Sequence, residues 1–173
     1  STFEKKYTRS GCRYTTDLEE LFADESIDAV MICAPNFLLK PLVIRSLKHG
    51  LHVFCEKPPG MSLKEIQSIR RVEKKNPKLK LKFGFNHRYH AAVLDLKKYI
   101  DSGKFGEVIW LRGRYGKSVN ENFFNEWRAK KELAGGGILL DQGIHMLDLF
   151  LHICGDFQDV KSFCSNKYWK GDI

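Results

Sequence analysis

The sequence predicts an α/β fold: a parallel sheet with connecting helices, then a second unit of antiparallel character. Three observations predict it. "IDAVMICAP" (27–35) and "LHVFCE" (51–56) are β-branched apolar runs of strand length, the kind buried on both faces. Helical segments of about 13 residues lie between and after them. After about Tyr89 the pattern changes to an amphipathic helix and a long alternating run, "GEVIWLRGRYG" (106–116).

Asp17 to Phe22, "DLEELF", reads as a short helix before the first strand. Pro35-Asn36 stops that strand. Leu38, Leu39, Leu42, Val43, Ser46 and Leu47 then recur at helical spacing, with Gly50 placed as the residue after the helix. Pro58-Pro59 halts the second strand. Ser62 and Glu65 form a capping box, "SLKE", opening a helix that turns Leu63, Ile66, Ile69 and Val72 inward until Asn76-Pro77. "LKLKFGF" (79–85) alternates as a third strand. The order α-β-α-β-α-β implies right-handed crossovers and a parallel sheet covered on both faces.

Ala91 to Ser102 is an amphipathic helix ended by Gly103, and 106–116 is a strand of the antiparallel kind. A polar, aromatic loop leads to "GGGILLDQGIHMLD" (135–148), the start of a helix over Ile138–Ile153 that Gly155 ends. The tail, "FQDVKSFCSNKYWKGDI", offers one more strand. Residues 1–88 and 89–173 therefore form two units.

With 43% hydrophobic and 12% aromatic residues, the 173-residue chain can bury a core. No uncharged stretch reaches the roughly 18 residues of a membrane span, because His145, Asp148 and His152 interrupt the most apolar run. Nothing at the start reads as a signal segment, which predicts a cytoplasmic protein. Five cysteines, none in a CxxC pair, argue against a disulfide framework and a metal site. The net charge of +8 fits a solvated basic surface or attraction of a phosphorylated small molecule. No reader motif accompanies it, so no nucleic-acid partner is expected.

Three stretches carry chemistry. Pro35 and Asn36 sit at the carboxyl end of the first strand, where parallel sheets bind ligands. Asn36 suits ligand contact or a helix N-cap, and the two are compatible. Glu56 and Lys57 lie at the end of the next strand and face the same crevice. They are either an exposed pair leaving a strand, or an acid and a lysine tuned for proton transfer. Asp141 and His145 are one helical turn apart, an arrangement that can orient an imidazole as a general base. The alternative is a glycine hinge followed by a core helix with a satisfied Asp-His pair, and Asp148 adds a second acid nearby.

"AVMICAPNFLLKPLVIRSLKHGLHVFCEKPPG", "FGFNHRYH" and "WRAKKELAGGGILLDQGIHMLDL" together resemble the Gfo/Idh/MocA family of nicotinamide-dependent oxidoreductases. The resemblance implies a Rossmann domain followed by an α/β domain with a mostly antiparallel sheet. It implies hydride transfer between NAD or NADP and a hydroxyl or keto carbon of a sugar, cyclitol or nucleotide sugar. It also implies homo-oligomers, dimers or tetramers, joined through the second sheet. Residue by residue, it implies catalytic roles for Lys57, Asp141 and His145. Pro35, Asn36, Glu56 and Lys57 match positions at the nicotinamide end, and Arg88, Trp127 and Arg128 match places where substrate is held. The alternative is a non-catalytic, sugar-binding or regulatory relative.

Two departures stand out. Lys40 occupies a position where the family commonly has histidine. No GxGxxG opens a βαβ unit. The chain is therefore expected to begin after the first strand and phosphate-binding turn, and to stop before most of the second sheet. On that reading these 173 residues alone bind a dinucleotide weakly or not at all and are inactive.

Overall fold

A computed structural model of the chain describes residues 12–116 and 118–165. The first helix, α1 (Leu18–Ala23), starts where the Asp17 side chain accepts the Glu19 amide at 2.8 Å. The parallel sheet follows as β1 (Ala29–Ile32), β2 (His52–Cys55) and β3 (Leu81–Phe83), hydrogen-bonded in that order. Val30 lies beside Val53, and Val53 beside Leu81.

Helix α2 (Asn36–Lys48) joins β1 to β2, and α3 (Leu63–Lys75) joins β2 to β3. His49 ends α2 and Gly50 follows at φ +80°, a conformation natural to glycine. The α3 cap is a variant of the predicted box. Ser62 Oγ accepts the Glu65 amide at 3.3 Å, but the Glu65 carboxylate reaches past Ser62 to the Met61 amide at 2.9 Å.

Ile32, Leu39, Val43, Leu47, Val53, Cys55 and Ile69 form the core between the sheet and these two helices. The other sheet face leaves Met31 70% and Phe54 40% exposed. The sheet is thus covered on one face among the described residues, not on both as expected. The reason is topological. Right-handed crossovers that always step in the same direction put every connecting helix on one side, and a doubly covered sheet needs a reversal of strand order. Among the described residues the order is β1-β2-β3 without a reversal.

After β3, a 3₁₀ turn (Asn86–Tyr89) leads into α4 (Ala91–Asp101). Residues 106–116 alternate as a strand would, yet pair with no strand among the described residues. A strand is completed by a neighbour's hydrogen bonds, and alternation alone supplies none. Phe157 to Ser165 likewise forms no strand among the described residues, and the rest of that predicted strand lies outside them.

Two 3₁₀ turns (Glu121–Asn125 and Trp127–Ala129) precede the short α5 (Lys131–Ala134). Gly135 ends α5 at φ +83°, then a π-helical turn (Leu139–Gly143) opens into α6 (Ile144–Cys154). The helical run Lys131–Cys154 is long and apolar enough, by length and composition, to cross a membrane, which counting interruptions in the sequence did not indicate. Asp141 and Asp148 on this run bind Lys57 and Arg88, so here it docks against the first unit.

Gly135 answers for the glycine triplet. A Cβ there would lie 2.3 Å from Met61 Cβ and 2.9 Å from Met61 Cα, so α5 meets the loop before α3 without room for a side chain. Gly50 shares the positive φ but has nothing within 4 Å. Gly50→Ala is therefore expected to cost about 1–2 kcal/mol, from backbone strain alone. Gly135→Ala should cost at least about 2 kcal/mol more, because Met61 must also move. Urea unfolding of both variants measures the difference, and equal losses would show that the contact with Met61 is not tight.

Candidate active site

Strand ends build the first wall of the site. Ile32 leads out of β1 into Cys33, Ala34, Pro35 and Asn36, and Cys55 leads out of β2 into Glu56 and Lys57. Neighbouring parallel strands end at the same level, so both exits open on one crevice. Asn36 is the first residue inside α2, with Pro35 at the cap position and no side-chain cap. The N-cap alternative is thereby excluded. The Asn36 amide instead donates to the Ala134 carbonyl at 2.8 Å, binding the crevice wall to the end of α5.

Lys57 crosses the crevice. Its Nζ donates to Asp141 Oδ1 at 3.0 Å and also to the Asp141 carbonyl oxygen. Both side chains are largely shielded, at 16% and 23% exposure, so the attraction is weakly screened. Asp141 sits in the π-helical turn, a distortion often found at functional sites. Its Oδ2 accepts from Gln142 at 2.9 Å.

The resulting cleft has a volume of about 360 Å³. Its lining includes Pro35, Asn36, Glu56 and Lys57 from the first unit, and Asp141 from the helical run. Trp127 and Arg128 complete it, with the Arg128 guanidinium 4.5 Å from the Trp127 ring centre. Cys33, exposed, lines it too and was not singled out in the sequence. Seven of the nine predicted site residues therefore share one cleft.

His145 and Arg88 lie beside the cleft, not in its lining. Arg88 is held by Asp148, with Nε 2.7 Å from Oδ2 and Nη2 on Oδ1. This two-pronged ion pair joins the turn after β3 to α6, so at least two of the Arg88 donors serve structure. It also explains Asp148, which the sequence showed only as an extra acid.

His145 is 6% exposed. Its ring centre lies 4.0 Å from that of His87, 6.4 Å from Tyr115 and 6.3 Å from Phe85. Its buried Nδ1 has no hydrogen-bond partner among the described residues, so the expected Asp141 carboxylate does not anchor that nitrogen. The π-helical turn contributes to this. A wider turn breaks the simple one-above-the-other alignment of positions four apart, and Lys57 draws Asp141 towards the cleft. Burial, then the neighbouring His87 and Lys57, pushes the His145 pKa down to about 4, and Asp148 and Asp141 offset only part of this. His145 is thus a neutral imidazole at neutral pH.

Lys40, the odd residue of the "PNFLLKP" turn, lies away from these groups and pairs with Glu65 at 3.8 Å, bridging α2 and α3. Cys33, Cys55, Cys154 and Cys164 are free thiols, and burial raises the Cys55 thiol to about 12.

The oxidoreductase-family model described as an NAD-binding Rossmann fold matches residues 2–85, and the GFO/IDH/MocA C-terminal domain model matches 93–172. The chain belongs to the Gfo/Idh/MocA oxidoreductase family. Levoglucosan dehydrogenase of Pseudarthrobacter phenanthrenivorans is 31% identical over 153 residues, 87% of this chain and 39% of that protein. D-glucoside 3-dehydrogenase of Escherichia coli is 32% identical, covering 83% of this chain and 40% of its own length. 2,7-Anhydro-N-acetylneuraminate hydratase of Mediterraneibacter gnavus is 28% identical, over 83% of this chain and 38% of its own length. Among solved structures, levoglucosan dehydrogenase in complex with NADH and levoglucosan superposes with a TM-score of 0.77 at 28% identity, over 88% of this chain and 42% of that one. The chain spans about two fifths of the length of these relatives.

The lowered pKa of His145 makes a stability prediction. Unfolded histidine titrates near 6.5, and the folded value lies below it, so the unfolded chain takes up the proton first. The contribution is complete above pH 6.5 and is lost as pH falls towards 4, by up to about 3 kcal/mol. Urea unfolding between pH 7.5 and 4.5 should show that fall, and His145→Gln should flatten it. An unchanged slope in the variant would place the titration elsewhere.

Proposed function

We propose that this chain belongs to a dehydrogenase that transfers hydride between NAD or NADP and a hydroxyl or keto carbon of a sugar, cyclitol or nucleotide sugar. The observation that carries the reading is the meeting of Lys57 with Asp141 across 84 positions of sequence, within a cleft at the strand ends. The likeness to levoglucosan dehydrogenase and D-glucoside 3-dehydrogenase supports it, while the likeness to a hydratase shows that similar chains also carry other chemistry.

The cleft suits the nicotinamide end of the cofactor. Pro35, Asn36 and Glu56 line it at the position where parallel sheets bind nucleotides, and about 360 Å³ accommodates a ring beside a small substrate. The bound nicotinamide supplies the hydride acceptor or donor. Lys57 holds the reacting hydroxyl by donating to its oxygen, and Asp141 keeps Nζ aimed into the cleft. His145, neutral at neutral pH, accepts the hydroxyl proton in oxidation, and its conjugate acid returns one in reduction. Trp127 and Arg128 contact the rest of the substrate, and any role for Arg88 in binding is through donors that Asp148 leaves over.

In this reading residues 1–88 belong to the dinucleotide-binding domain and 89–173 to a substrate-binding domain. Residues 106–116 then join a mostly antiparallel sheet through which copies associate as dimers or tetramers. The protein is soluble and cytoplasmic, with no nucleic-acid partner, membrane association or bound metal.

In the whole protein, Lys57→Met and His145→Ala should each lower kcat by roughly 10² to 10⁴-fold in a nicotinamide absorbance assay with sugar or cyclitol substrates. Near-normal turnover in both variants would remove the assignment. A protein that binds a sugar but reduces no nicotinamide with any substrate would be the sensing relative instead.

A further inference from the structure

A buried imidazole that works on protons needs something to fix its ring, and ordinarily a carboxylate or carbonyl on the second nitrogen does so. His145 lacks that anchor among the described residues, where its buried Nδ1 has no hydrogen-bond partner. What surrounds the ring is aromatic. His87 packs against it edge to face, with planes at 73° and centres 4.0 Å apart. Tyr115 lies nearly parallel at 22°, and Phe85 stands at 83° on another side. His87 is braced in turn, with its Nε2 3.4 Å from the Tyr115 hydroxyl and its ring 5.2 Å from His90.

We propose that His87, braced by Tyr115, is a positioning residue that fixes the His145 ring by packing, where no hydrogen bond from the described residues fixes its Nδ1. The backbone supports this. His87 and Arg88 are neighbours in one 3₁₀ turn, and Asp148 grips Arg88 while His87 meets His145. The ion pair therefore sets the distance at which the two rings touch. Packing by His87 also contributes to the exclusion of water that keeps His145 neutral. The titratable groups facing His145 are His87 from the turn, Tyr115, Lys57 from the end of β2, and Asp141 and Asp148 from its own helical run.

The role assigned to His145 rests on the dehydrogenase reading, but its positioning is measurable without turnover. Histidine ring resonances of the whole protein, labelled at Cε1, report the His145 titration by NMR. His87→Asn uncovers the ring and should raise the His145 midpoint by about one pH unit, a tenfold gain in proton affinity. His87→Phe restores the cover but removes the neighbouring imidazole, so its midpoint should rise by clearly less than that of the asparagine variant. Tyr115→Phe removes one oxygen and should shift it in the same direction as the asparagine variant, by less. An unmoved midpoint in His87→Asn overturns the proposal, as does a His87→Phe shift as large as that of asparagine. If His87→Asn does not fold, an unmoved midpoint in Tyr115→Phe overturns it. Should the midpoints move as expected while His145→Ala keeps normal turnover, the positioning stands and the dehydrogenase role of His145 falls.

Discussion

The Lys57–Asp141 contact is the constraint on which the site depends. One partner leaves a parallel strand and the other lies in a π-helical turn 84 positions later, so neither local structure requires the other. Their meeting closes the far wall of the cleft and brings Trp127 and Arg128 over the strand ends. The Asn36 amide on the Ala134 carbonyl is a second tie, and Gly135 permits both by letting α5 lie against Met61 without a side chain between. Replacing either polar contact with an apolar one would preserve packing but lose direction, because only a charged, hydrogen-bonded pair fixes which atom points into the cleft.

Local elements were readily legible in the sequence. The first-unit helices and strands follow from apolar spacing, Pro and Gly stops, and the Ser62–Glu65 signal, because each depends on neighbours within a few residues. The covering of the sheet was not legible in the same way. Alternation and apolar runs say that a strand wants a buried face, whereas which face a helix covers depends on strand order. Met31 and Phe54 read as core residues and stand on the uncovered side for that reason. Residues 106–116 show the same limit, since a pattern states a preference and a ladder needs a second strand.

The candidate site divides along the same line. Pro35, Asn36, Glu56, Lys57, Trp127, Arg128 and Asp141 were legible through strand-end logic and motif resemblance, and they share the cleft. The surroundings of His145 were not. A spacing of four suggested that Asp141 serves the imidazole, but the widened turn and the pull of Lys57 direct that carboxylate to the cleft. His87 stood in plain view in "NHRY", yet nothing local marks a histidine whose partner is 58 positions away. Aromatic packing across distant elements leaves no periodic trace.

Two carboxylates on one helical run, Asp141 and Asp148, each take a cation from the first unit, Lys57 and Arg88. They lie seven positions apart with His145 between them. Such a bracket fixes the helix at two points, so it can neither slide nor rotate without breaking an ion pair that is at least partly shielded from water. It also nearly balances the local charge, since each cation sits beside its own anion. A histidine between neutralised pairs feels less net field than one beside a lone carboxylate, and burial then decides its state. Without Lys57, the Asp141 charge would favour the imidazolium more and raise the His145 pKa from its lowered value. Lys57, proposed to hold the hydroxyl, thus also favours the neutral form of His145, so in the proposed reaction substrate positioning and proton transfer depend on a single contact.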